Sequence, residues 1–145
     1  MREIDDIVDT FEFLDNWDQR YRYLMELGEQ LPPMPDKLKT EENWVKPCMS
    51  RVHVAAEAVP DKPGVIRFRG DCDTATIKGV LALLIDLLSY RTLEEIQGMD
   101  VDGLFKRLRL EGHLSPSRHV GIYAIVDKML ERAEAVSQIK VADVA

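Results

Sequence analysis

Pro32, Pro33 and Pro35 stand within the five-residue run Leu31-Pro32-Pro33-Met34-Pro35. Each fixes its own φ and lacks a backbone N–H, so the run excludes both an α-helix and the interior of a sheet. An extended connector must therefore divide the chain there. Before it, Ile4, Ile7, Val8, Phe11 and Leu14 recur at helical spacing and predict a first amphipathic helix. Tyr21, Leu24, Met25 and Leu27 predict a second, with Gly28 as its C-cap. After the connector the period changes. Arg51 to Val59 alternates and is rich in Val and Ala, and Gly64 to Arg69 carries Val65, Ile66 and Phe68. Pro60-Asp61-Lys62-Pro63-Gly64 between them is a turn signal, so the two segments predict an antiparallel hairpin.

Helical spacing then returns. Asp71 or Asp73 is placed to cap a helix whose apolar stripe holds Ile77, Val80, Leu81, Leu84, Leu87 and Leu88. Thr92 is placed to cap a short helix, Leu93 to Gln97, and a further one is predicted over Val101 to Leu108. The last is expected to begin at Ser115 as N-cap with Pro116 at the first helical position, and to run to about Ala135. Helix, helix, hairpin, then several helices is an α+β order, with helices covering one face of a small antiparallel sheet. The 145 residues make one domain, with a core from about residue 4 to 135 and a tail, 137–145, expected to fray. A domain of this size buries about 68–70% of its unfolded surface, enough to hold together without disulfides or a structural metal.

Charge narrows the partners. The formal net charge is −7, which repels a phosphate backbone and suits a partner with a basic patch. The longest apolar run, Gly79 to Ile85, ends at Asp86, too short to span a bilayer. Met1 to Asp6 is acidic and lacks the apolar stretch of a secretory signal. A cytoplasmic, reducing location is the expectation, with Cys48 and Cys72 both free. No Gly-rich phosphate loop and no HExxH occurs, and Trp17 and Trp44 are expected to anchor packing.

The informative stretch runs from Thr40 to Val54. Pro47 biases Lys46 away from helix, which leaves Cys48 on a loop or strand edge, where it can be offered to a partner. A free cysteine is more often a buried, inert hydrophobe, and the residues alone leave this choice open. Lys46, Arg51 and His53 could stabilise a thiolate, although alternation along a strand can turn Arg51 and His53 to the opposite face.

Thr40-Glu41-Glu42-Asn43 with Val45, followed by Cys48-Met49-Ser50-Arg51-Val52, resembles the active-site segment of the SufE family. Phe68-Arg69-Gly70-Asp71-Cys72-Asp73, leading to Lys78-Gly79-Val80-Leu81, is similar to that family's Asp-Ser-Asp or Asp-Ser-Glu helix start. Leu110-Glu111-Gly112-His113-Leu114-Ser115-Pro116-Ser117-Arg118, with Gly121 beyond, resembles its His-Leu-Ser-Pro-Ser/Thr-Arg motif. Order and spacing agree from about Phe11 to Arg132.

The resemblance implies a fold like that of IscU-type scaffolds and a role as sulfur acceptor for a cysteine desulfurase, of SufS-like or CsdA-like type. Cys48 would take persulfide sulfur from the desulfurase, stimulate it, and pass the sulfur to an iron–sulfur scaffold complex of SufBCD-like type. Such a protein is a carrier more than a stand-alone enzyme. It holds no metal or cofactor itself, the pyridoxal phosphate belonging to the desulfurase. Pro47, Ser50, Arg51, Asp71 and Cys72 would support the loop, and His113 and Arg118 would dock the desulfurase or orient the loop. His113 could equally bond a loop carbonyl, and Arg118 could close an internal salt bridge. A loop that packs the thiol inward and swings it out on docking would protect a persulfide between donor and recipient.

The chain departs from the family at Pro47, Met49 and His53, where Gly, Gln and an aromatic residue are usual. It also has Cys72 where Ser is usual. At a helix start the dipole would favour a Cys72 thiolate, as a relay or resolving thiol, whereas a Ser-like or core role is the simpler use. Two other functions compete: an IscU-like metal or iron–sulfur scaffold using Cys48, Cys72 and a histidine, and a non-catalytic desulfurase-binding adaptor.

Overall fold

The computed structural model describes residues 4–110, 114–116 and 119–144, with side chains described as far as residue 138. Helix α1 covers Ile4–Phe13 and buries Ile7, Val8 and Phe11. Helix α2 covers Trp17–Glu29 and is capped by Asn16, whose side chain accepts the Gln19 N–H at 2.9 Å. Gly28 does not end α2. It lies inside the helix because α3, Ala75–Leu88, approaches closely there. A Cβ on Gly28 would sit 2.9 Å from the Gly79 nitrogen, and one on Gly79 only 2.3 Å from the Leu24 carbonyl oxygen. The glycine pair thus serves contact between two backbones. The Tyr21 hydroxyl adds a hydrogen bond to the Thr76 hydroxyl across the same seam.

The proline run is extended as predicted and leads into a single 3-10 turn, Asp36–Leu38. The sheet follows: β1 Val52–Ala58, β2 Val65–Cys72 and β3 Arg91–Thr92, antiparallel in the order β1-β2-β3. The predicted hairpin is present, but β2 continues past Arg69. Gly70, Asp71 and Cys72 pair with Val54, His53 and Val52, so these residues are strand and not a helix start. Helix α3 has Thr74 as N-cap with no side-chain cap, so neither Asp71 nor Asp73 caps it. Strand β3 pairs with Val65 and Ile66 and is too short to show alternation in sequence.

Residues directly opposite on two strands share a face. Val52 and Val54 with Ile66, Phe68 and Cys72 are buried on one face. His53, Glu57, Arg67, Arg69 and Asp71 line the other, where Glu57 accepts from Arg67 at 3.0 Å and pairs with Arg69 at 3.1 Å. The buried face receives α3 against β2 and α6 against β1, while α2 packs on α3. Helix α3 is enclosed on nearly every side, which explains why its sequence is apolar almost all round.

Thr92 and Glu95 form the capping box of α4, Leu93–Gln97, and Asp100 caps α5, Val101–Arg107. The last helix, α6, covers Val120–Val144 and departs from expectation at both ends. Ser115 and Pro116 do not open it. They lie ahead of it, after Leu114, whose N–H donates to the Leu110 carbonyl at 3.1 Å, and Ser115 is buried. His119 takes the cap instead: the Ile122 N–H donates to its Nδ1 at 3.2 Å and the Tyr123 N–H to its carbonyl at 2.9 Å. At the other end no Gly or Pro interrupts the chain after Gly121, and the helix continues beyond Ala135.

Candidate functional site

The Cys48 loop is short and closed at its base. The Val45 N–H donates to the Val52 carbonyl at 2.9 Å, and the Val54 N–H donates to the Asn43 carbonyl at 2.8 Å. Residues 43–45 thus run antiparallel to the start of β1, with Trp44 bridging His53. Between these anchors lie residues 46–51. Val45 and Val52 are fully buried, which pulls both ends of the loop onto the core. Pro47 faces outward and Met49 stands wholly in solvent, yet Cys48 between them is only 8% exposed. The loop position predicted from Pro47 is present, and the thiol turns inward.

What it meets there is the first turn of α6. A Cβ placed on Gly121 would lie 2.9 Å from the Cys48 Sγ, so the thiol occupies space that any side chain at 121 would fill. The His119 ring borders the same point, with Cε1 at 3.2 Å and Nδ1 at 3.4 Å from it. This is also the N-terminal end of α6, the end of a helix that favours negative charge. His119 carried little signal in the sequence. It matters because it caps a helix, and a helix start expected at Ser115 hides that position.

Below the thiol the loop is strapped to the end of β2. The Ser50 hydroxyl donates to the Thr74 hydroxyl at 2.7 Å, and the Arg51 N–H donates to Asp73 Oδ1 at 2.9 Å. The Asp73 N–H returns to the Arg51 carbonyl at 3.3 Å. Asp73 is thus an anchor for the loop. Cys72 lies beneath, buried, its thiol donating to the Thr74 carbonyl at 3.5 Å and accepting the Thr74 N–H at 3.4 Å. Burial foremost pushes the Cys72 thiol above its ordinary pKa, helped by the nearby Asp73, Cys48 and Asp71 and only partly offset by the Thr74 N–H. The expectation that the helix start would favour its thiolate is overturned, since desolvation outweighs the favourable N–H.

The cations expected around Cys48 are elsewhere. Lys46 Nζ pairs with Glu41 at 2.8 Å and lies 5.7 Å from the Trp44 ring centre. The Arg51 side chain is exposed, and His53 lies on the sheet face opposite Val52 and Val54. Burial first, then the charges of Lys39 and Arg51, lowers the His53 pKa, with Asp71 opposing. Asp71 joins the connector to α3 through Lys39 at 3.4 Å and Lys78 at 3.9 Å. The structure therefore gathers Cys48, Ser50, the Arg51 backbone and Cys72 with His119 and Gly121, and leaves Asp71 on the other face. His113 and Arg118 lie outside the described residues.

Among the described residues no group of three or more His, Cys, Asp and Glu is placed to hold a metal ion. A cavity of about 620 Å³ opens between Leu31, Pro33, Phe68, Ile85 and Tyr90, and shares no residue with the Cys48 loop. Among the described residues, no helix is long and apolar enough to cross a membrane. Met49 on the loop is wholly exposed and Val120, next to Gly121 at the start of α6, is 76% exposed.

The SufE family model, described as an Fe-S metabolism associated domain, matches residues 5–133. An uncharacterized SufE-like protein of Rhizobium meliloti is 35% identical over 135 residues, covering 92% of this chain and 96% of that protein. Another from Rhizobium etli is 34% identical over 136 residues, covering 92% and 91%. The solution structure of a hypothetical protein from Thermus thermophilus matches with a TM-score of 0.62 at 19% identity, covering 93% of this chain and 96% of the other, a likeness of fold.

Proposed function

The chain belongs to the SufE family, whose role lies in Fe-S metabolism, and from that premise we propose that Cys48 is the acceptor of persulfide sulfur from a cysteine desulfurase. The observation that carries this reading is the placement of one inward-turned thiol on a short loop strapped to the frame on both sides, beside a wholly exposed Met49.

The step is exchange at sulfur. The Cys48 thiolate attacks the outer sulfur of the donor's cysteine persulfide. A new S–S bond forms at Cys48, the donor's S–S bond breaks, and the donor cysteine leaves as a thiolate. The proton lost from the Cys48 thiol matches the one the departing thiolate can take up, so no oxidant or reductant is consumed. Cys48 then carries the persulfide to an iron–sulfur scaffold complex, where a second exchange of the same kind releases it. The exposed Met49 and Val120, on the loop and on the helix start it meets, fit a donor that is a protein, since exposed apolar side chains suit a protein partner better than a small polar sulfur source. The scaffold alternative needs Cys48, Cys72 and a histidine to converge on one metal, but among the described residues no such group of three is placed to hold one, and the Cys72 thiol is engaged with Thr74.

Desulfurase turnover separates carrier from adaptor. With cysteine and a reductant, alanine formation by the desulfurase rises when the parent protein is added. Cys48→Ser removes that rise if the thiol is the acceptor. Undiminished stimulation by Cys48→Ser would leave the protein a docking adaptor.

A further inference from the structure

We propose that Gly121 and His119 form the socket that holds the Cys48 thiol in its inward position and so set how readily it is released to a donor. The proposal rests on the reading of Cys48 as acceptor and adds the residues that regulate access to it. They act as positioning residues.

Gly121 needs a reason for being glycine. Among the described glycines, the positive φ belongs to Gly64, and Gly121 lies in the first turn of α6, where alanine favours the helix more. Conformation therefore does not select it. Space does: the missing Cβ would lie 2.9 Å from Sγ, inside ordinary contact distance. His119 forms the second wall. Its Nδ1 accepts the Ile122 N–H, which fixes the ring on the helix start and sets Cε1 3.2 Å from the same Cβ position that the thiol crowds. Because the ring is a cap, the wall moves only if the helix start moves with it. The opposite side is held by the Ser50–Thr74 bond and the Arg51–Asp73 pair. Release of the thiol then needs one motion, that of residues 47–49 away from the α6 turn. Exposed Met49 on the loop and Val120 beside Gly121 are where a docking protein would touch both sides of that seam.

The test needs no desulfurase, so it stands apart from whether Cys48 accepts sulfur. Native protein is alkylated with a neutral maleimide, and modification at Cys48 is followed by peptide mass, for the parent, Gly121→Ala and His119→Asn. Gly121→Ala overpacks the socket while favouring the helix. Its Cys48 reacts about tenfold faster, the scale expected when a tight contact is overfilled. His119→Asn keeps a side-chain acceptor for the Ile122 amide but removes the ring. Its Cys48 also reacts faster, with helix content and thermal midpoint unchanged. Parent-rate alkylation in a folded Gly121→Ala overturns the socket. Should Gly121→Ala not fold, His119→Asn decides alone, and a parent rate there overturns the proposal.

Discussion

Cys48 is 8% exposed between two outward-facing neighbours, so the proposed attack on another protein's sulfur requires the loop to move and ties that chemistry to its packing. Cys72 shows the contrast. Its thiol is bonded both ways to Thr74, as a serine hydroxyl would be, and burial keeps it protonated. Cys72→Ser should therefore retain sulfur acceptance and change stability by no more than about 1 kcal/mol, the scale of a net hydrogen bond. A raised folded-state pKa contributes stability that is present below the unfolded value, ordinarily 9.0, and lost as pH rises through the folded one. Denaturant unfolding above pH 9 should thus show the parent losing stability that Cys72→Ser keeps. A parallel decline in both would mean Cys72 is not the titrating group, and loss of sulfur transfer in Cys72→Ser would restore the relay.

Among the elements, those whose period or caps are local were legible in the sequence. The proline connector, the hairpin and the Thr92 capping box follow from residue type at short range. What was not legible depends on distant partners. Gly28 has the composition of a C-cap, but its role is set by Gly79, far along the chain. Asp73 suits a cap, but the Arg51 amide claims it. Ser115-Pro116 has every mark of a helix start, and the helix instead begins after His119. The same limit applied to the site: Cys48 and its loop could be found from Pro47 and the family motif, whereas Gly121 and His119 emerge only when α6 is laid against the loop. The α2–α3 seam gives a direct test. Gly79→Ala gains helix propensity but drives a methyl into the Leu24 carbonyl, which cannot yield as a side chain could. It should cost about 3 kcal/mol, lowering Tm by roughly 6–12 °C. A midpoint equal to or above the parent's would show that the helices do not meet as described.

Over the whole molecule, one core joins sheet, α3 and α6, and the loop bearing Cys48 is attached to that frame at both ends. A frame of this kind suits the proposed carrier role, in which a persulfide would be sheltered between two encounters and offered by moving a few residues. Its net charge of −7 suits protein partners better than nucleic acid. The most direct measurement is intact mass after incubation with a cysteine desulfurase, pyridoxal phosphate and cysteine, followed by peptide mapping. Added sulfur should be found on Cys48 in the parent and be absent in Cys48→Ser. Sulfur found on Cys72 alone, or none on the parent while the desulfurase turns over beside it, would contradict the assignment.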